Sequence, residues 1–190
     1  MKPTELPVLP FDNKKKWAIW LAKQHDKSKG VWLKLAKKNS RIDSVTYDEA
    51  LDVALCYGWI DGQKGSFDDQ YWLQKFTPRG PKSIWSKINT EKAERLIASG
   101  DMKPAGLKAI EAAKQDGRWA AAYSSQKNMS MPEDFQAALD QNQKAKAFFG
   151  ALKSAERYSF LFRIQTAKKA ETRAKRIQQF VEMLGKGEKP

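Results

Sequence analysis

Apolar and polar positions along the chain change period several times, and each change marks an element. Trp17, Trp20, Leu21 and Gln24 fall at helical spacing behind Asp12 or Asn13, which predicts a capped first helix through about residue 24. The run VWLKLAKK then alternates, with Val31, Leu33 and Leu35 on one face and Trp32, Lys34 and Ala36 on the other, the pattern of a half-buried strand. After a polar loop over 39–44, Thr46 and Glu49 form a Thr-x-x-Glu capping box. The helix they open carries Tyr47, Ala50, Leu51, Ala54 and Leu55 on one stripe until Gly58 stops it. Trp59 and Ile60 begin an extended segment in which DGQKG supplies glycines for tight turns, and Tyr71 to Phe76 alternates again. These two segments predict an antiparallel pair joined by a loop carrying Asp68 and Asp69, and with the strand at 31–38 a sheet of about three strands. TPRGPKSIWSKIN follows as a rigid loop through Pro78, Gly80 and Pro81 that enters a short helical turn.

From Thr90 onward every period is helical. Asn89 or Thr90 caps a helix ending at Gly100, and Pro104 opens another ending at Gly117. Residues 118–131 have no clear period and read as a linker. Pro132 starts a helix with Phe135, Ala138 and Leu139, Ser154 caps one striped by Tyr158, Leu161 and Phe162, and the last runs from about Lys169 to Leu184. The fold expected is α+β: a proline-spaced extended arm over 1–12, an α+β domain over 13–120 with a small antiparallel sheet, and an all-helical C-terminal module over 121–190.

Composition narrows the function more by exclusion than by assignment. The single cysteine, Cys56, cannot pair within the chain, and no leader-like apolar run or membrane-length segment is present, so a soluble cytoplasmic protein is expected. The net charge is +13, spread as +4, +3 and +6 over residues 1–60, 61–120 and 121–190. Such a balance favours polyanions or anionic ligands as partners. The only histidine, His25, sits on the polar end of the first helix and reads as exposed; no cation or helix N-terminus is placed to activate Cys56. Phosphate-loop motifs are missing, and no catalytic residue, metal or cofactor is expected.

Two clusters remain as binding candidates. Arg79, Lys82, Ser83, Ser86, Lys87 and Asn89 surround Trp85 on a loop that runs into a helix, the residue types that hold phosphate or carboxylate groups, and Arg118 and Trp119 can join them by stacking. The structural alternative is that Ser83 only caps a turn and Arg79 pairs with Asp61 or Asp68. The second cluster is the segment from Arg163 to Arg176, with six cations and one anion in fourteen residues. There Lys168, Lys169, Arg173 and Arg176 offer a nucleic-acid-binding face, or else a solvated surface. A third reading, an enzyme, would use Asp61, Asp68 and Asp69 with Arg79, whereas the plainer role of those aspartates is in turns at a sheet edge.

The succession GVWLKLAKK, TYDEALDVALCYGWIDG, FTPRGPKSIWSKIN, GDMKPAGLKAIEAAKQDGRW and a closing AKKAETRAKRI helix resembles the bacterial YdeI/OmdA-like proteins, labelled bacteriocin-protection or OmpD-associated, over residues 14–185. The resemblance implies a C-terminal helical module over about 130–187 and a role in bacteriocin or stress tolerance, with no catalytic residues to carry over. It also implies a recurring surface of Gly58, Trp59, Asp61, Pro78, Arg79, Ser83, Trp85, Ser86, Asn89, Arg118 and Trp119, expected to form one pocket for a small anionic ligand or a protein partner. Because bacteriocins are mostly cationic, a chain of net charge +13 would repel them at long range, so an indirect role is expected.

Overall fold

The hydrophobic alternation of the N-terminal half closes into a sheet with one helix-covered face. In the computed structural model, which describes residues 6–189, the strands are β1 (Val8–Pro10), β2 (Val31–Ala36), β3 (Trp59–Ser66) and β4 (Tyr71–Pro78). Their order is β1-β2-β4-β3, with β1 parallel to β2 and the other pairs antiparallel. The expected three strands are therefore four, because the end of the arm pairs with β2; Pro3 and the rest of residues 1–5 lie outside the described residues. A second correction concerns DGQKG. It is not a set of tight turns but part of β3, bulged between Asp61 and Lys64, and the chain reverses only at Phe67–Gln70. That bulge, with Gly62, Lys64 and Gly65 beside it, breaks the regular edge against pairing with another strand.

Helices α1 (Lys14–Gln24) and α2 (Tyr47–Cys56) start where their caps predict, with Asn13 accepting from the Lys16 N–H and Thr46 and Glu49 closing the capping box. They pack on the sheet face that carries Val31, Leu33, Leu35 and Phe76, all at most 1 % exposed. Trp17 stacks on Trp20 at 5.3 Å, meets Phe76 at 5.8 Å and meets Trp59 edge-on at 6.4 Å. The Trp17 and Trp59 indole N–H groups donate to the carbonyls of Ala50 and His25, so both rings are buried without an unmet donor.

Helix α3 (Lys87–Ala98) from Asn89 onward and α4 (Pro104–Gln115) complete this first unit, which comprises residues up to 85 and 89–120. The approach of α4 to the end of α2 depends on Gly106, where a Cβ would lie 2.4 Å from the Cys56 carbonyl oxygen and 2.8 Å from that of Leu55. The second unit comprises 86–88 and 121–190. It holds a 3₁₀ turn at Gln126–Asn128 and helices α5 (Glu133–Asp140), α6 (Gln143–Ala151), α7 (Ser154–Gln165) and α8 (Ala170–Gly185). Its core is a chain of edge-on aromatic contacts, Phe135–Phe149 at 5.4 Å, Phe149–Phe160 at 6.1 Å and Phe160–Phe180 at 5.0 Å, closed by Leu139, Ile164, Ile177 and Leu184. Ser154 is the first residue of α7 and not its cap; Glu156 accepts from the Lys153 N–H instead. The fold is α+β, and among the described residues no helix is long and apolar enough to cross a membrane.

Candidate functional site

Five of the anticipated residues come together where the chain leaves β4. The Arg79 N–H donates to the Gly58 carbonyl at 2.9 Å, which pins the start of the loop to the α2–β3 junction. Gly58 has φ +71°, and a Cβ there would lie 2.8 Å from the Ala105 carbonyl oxygen, so the junction admits glycine alone without strain. Gly80 and Ser83 then close a turn: the Ser83 N–H reaches the Gly80 carbonyl and the Gly80 N–H reaches Ser83 Oγ, each at 3.0 Å. This turn swings the Arg79 guanidinium over the buried Trp85 ring, 3.5 Å from its centroid, while Arg79 also donates to the Ile84 carbonyl. Trp119 lies 4.9 Å from Trp85, and Lys114 stands 5.5 Å from the Trp119 ring.

Arg118 holds the loop from the other side. Its Nε donates to both carboxylate oxygens of Asp116 at 2.7 and 2.8 Å, and its Nη1 donates to the Ser83 carbonyl at 2.8 Å. Arg118 is 8 % exposed, so its charge is matched by Asp116 and its part in the cluster is to brace the loop. The Trp85 indole N–H is buried and has no hydrogen-bond partner among the described residues, which sets it apart from Trp17 and Trp59. An unmet donor beneath a stacked guanidinium is a local cost that sites of binding tend to carry.

Gly58 and Pro78 adjoin Arg79, and the other members of the predicted surface are engaged elsewhere. Trp59 belongs to the tryptophan core described above. Asp61 accepts from the Tyr47 hydroxyl at 2.8 Å. Asn89 and Thr90 are not caps but buried residues inside the first turn of α3, which starts at Lys87, and the segment before it is not a helical turn. Ser86 forms a parallel bridge with Tyr123 and groups with the second unit.

The rival sets are also dispersed. Asp68 accepts from the N–H groups of Gln70 and Tyr71 and so shapes the β3–β4 loop. Among the described residues no group of three or more histidine, cysteine or acidic side chains is placed to hold a metal ion. Cys56 is 6 % exposed, and burial above all pushes its thiol up to about 11. His25 is half-buried and not exposed as expected: its Nδ1 lies 3.0 Å from the Leu21 carbonyl and its ring packs on Tyr57. On α8, Arg173 is committed to Asp134 through two bonds of 2.6 and 2.8 Å and to the Ile164 carbonyl, and Arg176 donates to the Arg163 carbonyl. Two of the four residues expected to meet nucleic acid therefore tie helices together, while Lys168 and Lys169 remain exposed. The hydrogen bonds from Arg173 also hold the Asp134 carboxyl below its ordinary value of 3.8.

Asp116, Lys114 and the open groove between α5 and α8 were not anticipated. The groove encloses about 560 Å³ over Ala138, Ala174, Ile177 and Val181, with Arg173 at its rim. Asp116 was findable, since an aspartate two residues before an arginine across Gly117 (φ +78°) is an Asx-type turn that brings the two side chains together. The groove was not, since it depends on how two helices separated in sequence are packed.

Residues 9–109 match the family model described as a domain of unknown function (DUF8412), and residues 128–187 match the one described as Bacteriocin-protection, YdeI or OmpD-Associated. The YdeI/OmdA likeness expected over 14–185 is thus shown for the C-terminal part, and the N-terminal half matches a model of its own. No curated protein and no solved structure gives a significant match.

Proposed function

Because the chain belongs to the DUF8412 family and ends in a YdeI/OmdA domain, we propose that it is a non-enzymatic cytoplasmic protein of bacteriocin or stress tolerance. It binds a small anionic ligand, or the anionic group of a protein partner, at Arg79, Ser83, Trp85 and Trp119, with Arg118 bracing the loop. The observation that carries the reading is the Arg79 guanidinium held 3.5 Å from the Trp85 ring centroid, with Trp119 4.9 Å beyond. Stacking fixes the orientation of the guanidinium before any ligand arrives, with Nη1 on the Ile84 carbonyl and Nε and Nη2 buried, and a preset cation loses less freedom on meeting a carboxylate or phosphate. Lys82, exposed on the same loop, and Lys114 add positive field without competing for the stacked position.

The test is a thermal-shift panel of phosphate, citrate, nucleotides and phosphorylated sugars. One small anion should raise the melting temperature, and Arg79→Ala should abolish the rise while leaving the unliganded melting temperature within a few degrees. A panel without any shift, or a shift that survives Arg79→Ala, contradicts this reading. The basic helix α8 is the weaker nucleic-acid candidate, because Arg173 and Arg176 are engaged within their own unit.

A further inference from the structure

The sheet has a second face, and its composition differs from the first. Opposite the face packed by α1 and α2, the register places Trp32 beside Lys75 and Val8, Lys34 beside Leu73 and Pro10, and Ala36 beside Tyr71. Lys34 Nζ stands 4.0 Å from the Tyr71 ring centroid and 4.5 Å from that of Phe67, and Lys75 Nζ stands 5.8 Å from that of Trp32. The Trp32 ring reaches across β4, since a Cβ on Gly65 of β3 would lie 3.8 Å from Trp32 Cζ3. Phe67 is 49 % and Val8 42 % exposed, and Trp32, Lys34, Tyr71, Leu73 and Lys75 are half-buried. Rings from β2, β4 and the β3–β4 loop thus stand on an open face with lysines between them, and no aspartate or glutamate occupies a paired position on that face.

We infer that this face binds single-stranded nucleic acid, with bases stacked on Trp32, Tyr71 and Phe67 and phosphates met by Lys34 and Lys75. Two features select this partner. Exposed rings reward a ligand that brings unpaired π-faces, which a duplex keeps inside its own stack. The lysines supply sequence-independent attraction to phosphates, and the excess of +13 over the whole chain draws a polyanion in. An acidic peptide would use the lysines and leave the rings idle. In the free protein the ammonium groups of Lys34 and Lys75 stand over the rings. Such cation–π contacts are weak at exposed sites, and the flexible lysine stem lets the ammonium turn from ring to phosphate. The carboxylates nearest in sequence, Asp68 and Asp69, lie in the loop, where Asp68 is occupied with the Gln70 and Tyr71 N–H groups.

The experiment measures fluorescence anisotropy of a labelled oligonucleotide of about twelve nucleotides, and of the matching duplex, with the full chain between about 50 and 200 mM salt. The variants are Phe67→Ala, Phe67→Ala with Tyr71→Ala, Lys34→Gln, and Lys168→Gln with Lys169→Gln, each checked for folding by circular dichroism. The single strand should bind more tightly than the duplex, and removal of both rings should weaken it by about tenfold or more. Lys34→Gln should flatten the slope of log affinity against log salt by about 0.7. The inference is overturned by absence of binding at low salt, by a duplex bound equally well, or by ring variants that bind as the parent does. It is overturned equally if only the Lys168/Lys169 variant loses binding, which would move the site to α8. Should the double ring variant unfold, Phe67→Ala alone decides, because half its side chain is already in solvent.

Discussion

Single side chains decide most at this protein's loop between β4 and α3. Arg79 and Arg118 are both arginines beside tryptophans, yet one stacks on Trp85 and the other is spent on Asp116 and the Ser83 carbonyl. Asp116→Ala should therefore leave a buried guanidinium with half its partners and lower stability by about 2 kcal/mol, read from the denaturant midpoint. Cys56 makes a prediction of the opposite kind. Burial raises its thiol to about 11, so at pH 8 a thiol reagent should modify the native protein far more slowly than the denatured one, and equal rates would contradict the packing around α2. Residue identity alone could not separate the two arginines, because what distinguishes them is which carbonyl or ring the loop brings within reach.

At the scale of elements, close approach and ion pairing set the tolerances. Gly106 lets α4 touch the C-terminal carbonyls of α2; Gly106→Ala should cost about 1–3 kcal/mol, and no loss in a chemical melt would show that the contact yields. In the helical unit, the Arg173–Asp134 pair joins α8 to the start of α5. Since the Asp134 carboxyl is held below its ordinary 3.8, its contribution is complete above about pH 4 and is lost as the pH falls through the lowered value. Arg173→Gln should remove that part of the acid sensitivity, so that parent and variant melting temperatures converge toward pH 2; parallel curves would contradict the pairing. The helices were legible because caps and stripes are local: Asn13, Thr46–Glu49 and Pro104 act within one turn. The fourth strand was not, since Val8–Pro10 has no strand period of its own and becomes a strand only by lying beside Trp32–Lys34. DGQKG misled for a related reason, as glycines that suit a turn also suit a bulge.

For the molecule as a whole, the two family matches divide along the chain much as the two units do. The cluster around Trp85 does hold a cation stacked on a ring, while of the surface expected with it Trp59 and Asn89 are buried and Asp61 bonds Tyr47. Aromatic residues near one another in sequence are partitioned by burial, which no local pattern reports. In the proposed site Arg79 meets an anion as a cation fixed by stacking on Trp85 and not simply as a mobile positive charge. The most direct test compares parent, Arg79→Lys and Arg79→Ala in the thermal-shift assay with the strongest anion of the panel at moderate salt. Lysine keeps the charge and loses the planar stack on Trp85, so affinity should fall by roughly fivefold or more in Arg79→Lys and vanish in Arg79→Ala. Full retention in Arg79→Lys would show that charge alone suffices, and retention in Arg79→Ala would place the site elsewhere.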